Sequence, residues 1–171
     1  MNKHLETLFN EPEKSYLKAQ DLNLLSQYVG SLPERIKVYR QLRDKELEIM
    51  QAVADDLQQQ FPQVAEASLE RSIKNGLLVM RYCAMAMLLD DPAFVVQRLN
   101  GWLKPITAVY DTQAIDRALY QHLTQQLAKR FTANQMKIIQ GSLILAQSIV
   151  LETQSPPTDV NETIEALAGI G

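Results

Sequence analysis

Apolar positions recur along this chain at steps of three and four, the spacing that lines side chains on one face of an α-helix. Leu47, Met50, Ala54, Leu57 and Phe61 form one such stripe. Ile115, Leu119, Leu123 and Leu127 form a second, and Met136, Ile139, Leu143, Ala146 and Val150 a third. No run alternates as a half-buried strand does, and only six glycines interrupt the chain. The pattern predicts an all-α protein.

Start and stop signals divide the stripes. Ser31-Leu32-Pro33-Glu34 has the form of a capping box with proline at the first helical position. Pro62 closes the helix that follows. Asp91-Pro92 opens another, its carboxylate able to accept orphan backbone N–H groups, and Gly101 suits its end. Thr132-Ala133-Asn134-Gln135 is a second capping box. The helices predicted lie near 3–13, 20–30, 33–60 with a break near Asp44, 65–89, 92–100, 113–130 and 133–153. Gln154-Ser155-Pro156-Pro157-Thr158 cannot continue the last helix. Residues 1–153 are therefore expected as one domain and 154–171 as a flexible tail; a docking segment there would use Ile164 and Leu167.

Composition narrows the class. The chain has 171 residues, 46% of them hydrophobic and 22% charged, enough to bury one core. A net charge of −3 lacks the basic surplus that phosphate neutralisation demands, so no nucleic-acid partner is expected. Met1-Asn2-Lys3-His4-Leu5-Glu6 lacks the apolar core of a signal peptide. The longest apolar stretches, Tyr82–Leu89 and Leu143–Ala146, fall well short of the roughly 20 residues that span a bilayer. A cytoplasmic chain, or one attached peripherally, is the expectation.

Candidate chemistry is scarce. One cysteine, Cys83, cannot form an intramolecular disulfide. Its neighbours are apolar apart from Arg81, so a buried core thiol is expected rather than a reactive one. His4 and His122 have no cysteine or carboxylate at metal-ligand spacing, and Phe94–Asn100 holds no histidine to ligate a haem. Asp55-Asp56 and Asp90-Asp91 are adjacent pairs that a helix turns about 100° apart, so surface and capping roles suffice. Arg35, Lys37, Arg40, Arg43 and Lys45, interspersed with Glu34, Asp44 and Glu46, read as a solvated helix face or a surface for an acidic partner. Met85, Met87 and Trp102 read as packing residues. No catalytic residue and no metal site is expected, and the chain is not read as an enzyme.

The order of these features carries a family resemblance. Asn10-Glu11-Pro12-Glu13-Lys14-Ser15-Tyr16-Leu17, then Leu22, then Arg35–Gln60 and the turn Phe61-Pro62-Gln63-Val64, resembles the amino-terminal half of phycobiliprotein subunits, the allophycocyanin-like ones above all. Met80-Arg81 and the helix through Leu89-Asp90 resemble the family's long central helix, and Gly101 falls where the family has a glycine. The likeness spans residues 5–153. It implies a globin-like helical bundle with two extra amino-terminal helices that pack one subunit against another. In the family an acidic side chain of the first helix pairs with an arginine of the partner's central helix. Glu11 and Arg81 hold those positions here, and Tyr16 belongs to the same surface. The resemblance thus implies a homodimer or heterodimer through the amino-terminal helices.

The departures from the family bear on its pigment. The family attaches a linear tetrapyrrole through Cys-x-Arg-Asp on the central helix. With Arg81 aligned, the matching residues are Ser72-Ile73-Lys74-Asn75. Serine cannot form the usual thioether, asparagine lacks the carboxylate, and Lys74 alone could still meet a propionate. Cys83 lies eleven residues on, roughly 16 Å along a helix, too far to replace the missing anchor. Ile106 stands where the family has a pocket tyrosine. The resemblance therefore implies a degenerate bilin pocket at Ser72, Lys74 and Asn75 with no covalent pigment. The expected function is a non-chromophorylated phycobilisome-subunit-like protein of a cyanobacterium-like cell, peripheral at the thylakoid membrane. It would bind phycobilisome or photosystem proteins in assembly, turnover or regulation. The alternative is a carrier or sensor holding a tetrapyrrole, bilin or chlorophyll precursor, non-covalently.

Overall fold

A computed structural model describes residues 3–10, 16–107 and 112–153. Six helices follow in order: α1 (Lys3–Asn10), α2 (Ala19–Gln60), α3 (Glu66–Leu89), α4 (Ala93–Thr107), α5 (Gln113–Arg130) and α6 (Ala133–Thr153). There is no strand among the described residues. The proposed tail, 154–171, lies outside them, as do Glu11 and the end of the predicted first helix.

The largest departure from the predicted elements is α2. The helices expected at 20–30 and 33–60 are one helix, unbroken at Asp44, with Pro33 inside it. Proline there cannot donate to the carbonyl four residues back, which ordinarily kinks or ends a helix. The carbonyl left without that donor is Val29's, on an exposed turn where water can serve it. One residue earlier, Ser31 Oγ donates to the Tyr28 carbonyl at 2.9 Å instead of capping a new helix, and Arg35 Nη2 donates to the same oxygen at 3.0 Å. None of residues 19–34 is buried, so Pro33 sits on an exposed arm roughly 24 Å long. Leu22, Leu24 and Val29 are exposed on that arm. With α1, the arm supplies the two extra amino-terminal helices; the second is a continuation of α2.

From Arg35 onward α2 enters the core. Val38, Leu42, Ile49, Met50, Val53 and Leu57 are buried. Leu47, placed in the apolar stripe by its spacing, is 80% exposed. The core face runs through Ile49 and Val53, and a residue two positions before Ile49 is turned about 200° away from it. The α5 stripe is buried throughout, and the α6 stripe is buried except for the half-buried Met136. α3 is the hub and packs against α2, α4, α5 and α6. It approaches α5 so closely at Gly76 that an added Cβ would stand 2.6 Å from Leu119 Cδ2.

The ends of α3, α4 and α6 show how the sequence punctuates this bundle. Asp90 closes α3 in the left-handed region, φ 53°, a conformation that Asp tolerates better than most residues. Its N–H donates to the Met87 carbonyl, and that of Asp91 to Ala86. Arg35 Nη1 reaches across from α2 to the Leu88 carbonyl at 2.8 Å. Asp91 Oδ1 then accepts the Ala93 N–H at 3.1 Å and opens α4. That helix does not stop at Gly101 but runs through it to Thr107. The predicted capping box of α6 forms in full, with Thr132 N–H donating to Gln135 Oε1 at 3.0 Å and Gln135 N–H to Thr132 Oγ1 at 3.3 Å.

Arg35 is thus not part of a solvated cationic face. It is 4% exposed, with its guanidinium 4.4 Å from the centre of the Tyr28 ring. Its Nε has no hydrogen-bond partner. Arg35→Met is expected to lower the free energy of unfolding by about 2–3 kcal/mol, because it strands the Leu88 carbonyl. Arg40→Met, at an exposed position of the same helix, is expected to change it by no more than about 0.5 kcal/mol. Urea titration of the two variants measures the difference.

Candidate functional site

α2 and α3 run antiparallel about the turn at Pro62-Gln63, and α4 crosses beside them. Between the three lies an open groove of about 500 Å³. α2 contributes Tyr39, Leu42, Arg43 and Glu46, spaced to share one helix face. Met80, Arg81, Tyr82, Ala84 and Met85 come from α3, and Phe94 and Arg98 from successive turns of α4. The groove floor is apolar and aromatic: Tyr82 and Phe94 meet edge to face, with ring centres 6.3 Å apart. Its rim is charged.

Arg81, singled out from the sequence, borders this groove. It makes a side-on pair with Glu46, Nε to Oε2 at 2.7 Å and Nη2 to Oε1 at 2.6 Å. The arginine side chain is 53% exposed and the glutamate 18%. Arg81's N–H donors hold the Glu46 carboxyl below the usual carboxylate range; its charge adds to this, and partial burial opposes it. The same hydrogen bonds push the Arg81 guanidinium up. Arg43 is held by the neighbouring Asp44, with Nε and Nη2 each 2.8 Å from Oδ1. Arg98 lies over the Phe94 ring, 5.2 Å from its centre.

The other residues marked in the sequence scatter. Tyr16 is 99% exposed. Glu11 lies outside the described residues, so the structure gives no position for the expected partner of Arg81. Ser72 is 2% exposed and faces the core. Lys74 points to solvent and meets Glu70 Oε1 at 2.6 Å, while Asn75 is half-buried. A two-residue step on a helix rotates a side chain by about 200°, so Ser72 and Lys74 do not face a common opening. Ile106 is part of α4, and its side chain, like that of Trp102, lies outside the described set.

Cys83 is fully buried, and its Sγ donates to the Ser142 carbonyl at 3.3 Å. Burial pushes the thiol up to about 12. His122 does have a carboxylate near it, from a helix distant in sequence. Its Nδ1 is 3.5 Å from Asp56 Oδ2 without a hydrogen bond, and Nε2 is 2.7 Å from Gln60 Oε1. Gln126 Nε2 donates to Asp56 at 2.9 Å, while Arg130 reaches Gln126 Oε1 at 2.7 Å and Glu48 at 3.0 Å. This ladder joins α2 to α5 along one edge. Asp55 turns the other way, to Gln51. Among the described residues no three acidic, histidine or cysteine side chains are grouped to hold a metal ion.

Glu46 is the residue that sequence reading passed over as one acid among alternating charges. A signal existed: Glu46 and Arg81 lie equally far on either side of the turn at Gln63-Val64, the condition for facing each other in an antiparallel pair. Arg98 carried no comparable mark, because its place depends on how α4 crosses α3.

A family model described as "Phycobilisome protein" matches residues 10–135. No curated protein matches the chain.

Two measurements check the site's electrostatics. A carboxyl held low in the folded state adds stability that is whole above its unfolded value and is lost as pH falls through the folded one. The advantage of the wild type over Glu46→Gln/Arg81→Gln in urea unfolding is therefore expected to shrink on acidification through the lowered Glu46 range. Cys83 is expected to resist a disulfide reagent in the native protein at mildly alkaline pH and to react at once in denaturant.

Proposed function

The chain belongs to the phycobilisome protein family, and on that premise we propose that it is a non-chromophorylated member that works by binding other proteins. It serves assembly, turnover or regulation of light-harvesting or photosystem complexes and performs no reaction of its own. The observation that carries this reading is the state of the two residues on which a covalent pigment would depend. The resemblance puts Ser72 at the attachment position, and its side chain is packed into the core. The only thiol in the sequence, Cys83, is buried and held protonated. A thioether needs an accessible thiolate, and neither position supplies one.

Protein association is supported by what the fold leaves open. The amino-terminal arm of α2 carries exposed Leu22, Leu24 and Val29, and Tyr16 before it is wholly exposed. Opposite in character is the groove with its aromatic floor and cationic rim. In this reading Glu11 and Tyr16 of one subunit face the groove that Arg81 borders on the other, in a homodimer or a heterodimer with a phycobilisome or photosystem protein. No helix among the described residues is long and apolar enough to cross a membrane. Contact with the thylakoid is then peripheral and made through the partner.

The groove also favours a second reading. A half-open, aromatic-lined space of about 500 Å³ with arginines at its rim suits a flat apolar molecule bearing carboxylates. Such a protein would carry or sense a tetrapyrrole non-covalently. Titration with biliverdin, phycocyanobilin and chlorophyll precursors tests this, and no saturable binding at micromolar concentration removes it.

For the first reading, the chain co-expressed with bilin synthesis and attachment enzymes is expected to show no visible band that survives denaturant. A denaturant-resistant band would overturn it. Tagged protein retained from a photosynthetic host is expected to carry phycobilisome or photosystem subunits identifiable by mass spectrometry. Recovery of neither counts against it.

A further inference from the structure

Away from the groove, α6 is the helix with the fewest charges for its length. Of its 21 residues only Lys137 and Glu152 are charged. Ile139, Leu143, Ala146 and Val150 turn one face into the core, and Ile138, Leu145 and Ile149 are half-buried on its flank. The opposite face carries Lys137, Gly141, Ile144, Ser148 and Leu151 at steps of four and three, a second stripe of the same helix. Ile144 there is 57% exposed, and a Cβ at Gly141 would meet nothing within 4 Å. A helix that is apolar around most of its circumference needs cover on more than one face. We propose that the segment following α6 in the chain, residues 158–169, docks on this stripe as an antiparallel amphipathic helix. The inference does not rest on the association reading above, and the family match ends at residue 135, before the stripe begins.

Residues 154–171 lie outside the described ones, and their order supplies the counterpart of the stripe. Asp159-Val160-Asn161-Glu162 has the form of a capping box, and Gly169 suits a helix end. Between them Val160, Ile164 and Leu167 fall at steps of four and three on one face, with Glu162 and Glu165 turned away from it. So short a helix is unstable alone in water and depends on apolar contact.

The connection sets the direction of docking. Gln154-Ser155-Pro156-Pro157-Thr158 cannot continue α6, and a link of this length joins two successive helices side by side and antiparallel. Counted from Pro156, three pairs lie at matching distances on either side: Leu151 with Val160, Ser148 with Ile164, and Ile144 with Leu167. The exposed Ile144 thus receives the last apolar residue of the segment's stripe. Ile170 follows toward Gly141, where there is room for a side chain.

Disulfide trapping in the full-length chain tests the proposal, with circular dichroism to check that each variant keeps its helices. A chain carrying Ile144→Cys and Leu167→Cys is compared, under a mild oxidant, with one carrying Ile144→Cys and Glu165→Cys. Native Cys83 is buried and held protonated, so it does not compete. Positions 165 and 167 have nearly the same reach, and an undocked segment would close both bridges at similar rates. The Leu167 pair is expected to close within one chain at least about tenfold faster than the Glu165 pair. Ile164→Asp, added to both, is expected to abolish the difference. Without any introduced cysteine, the amides of residues 161–168 are expected to exchange hydrogen more slowly than in an unstructured peptide, and Ile164→Asp to release them. Equal closure rates, or free exchange in the wild type, overturn the inference. Bridges formed between chains overturn it in favour of a second copy on α6. Slow exchange that Ile164→Asp leaves unchanged overturns it too, because the segment then rests on something other than its apolar stripe.

Discussion

The buried guanidinium of Arg35 fixes the register between α2 and α3, and the rest of the bundle depends on that register. It joins the Tyr28 carbonyl of α2 to the Leu88 carbonyl in the last turn of α3, where a helix leaves its carbonyls without internal partners. A buried charge is tolerated only with such partners, because desolvation costs several kcal/mol per ion. Two carbonyls and the Tyr28 ring provide them. With α2 and α3 locked at this end and turning at Pro62, Glu46 necessarily faces Arg81, and Gly76 is free for the close approach of Leu119.

The same constraint makes the groove. α4 begins directly after the α3 cap, through Asp91, so its first turns cannot cover α2 and α3 beyond Phe94 and Arg98. What stays open is an apolar floor between helices whose rims carry charge. The edge facing α5 is treated differently: Glu48, Asp56, Gln60, His122, Gln126 and Arg130 interlock along it. One side of α2 is thus completed within the chain, while the other offers aromatic surface and an arginine without a carboxylate.

In the proposed function, loss of a pigment site and retention of a docking face would follow from different physical demands. Covalent attachment needs one reactive group at one point, and the resemblance puts a serine, Ser72, where that group would stand. Ser72 is small enough to be packed against its neighbours, and Cys83 is inert because burial disfavours its thiolate. A docking face is spread over three helices and a protruding arm.

Much of the fold was legible in the sequence because it is local. The stripes of α5 and α6, the Thr132–Gln135 capping box and the Asp91 start of α4 each depend on residues within a few turns, and the chain order from Glu11 to Asp90 was enough to suggest the family. Misread features were those where a local signal met a distant partner. Ser31-Leu32-Pro33-Glu34 has the letters of a helix start, yet α2 runs through it, with Ser31 and Arg35 both donating to the Tyr28 carbonyl. Leu47 fits a stripe by spacing but is excluded from the core because Ile49 and Val53 set the buried face. Arg35 sits in a cationic run and is nonetheless the buried one. The sequence by itself determined the all-α class, the buried stripes of α5 and α6 and the acidic amino-terminal segment. Only the tertiary structure decided that Arg81 is already occupied by Glu46 and that Arg98 is not. Which charges stay free depends on the approach of side chains tens of residues apart, and helix periodicity carries no information about that.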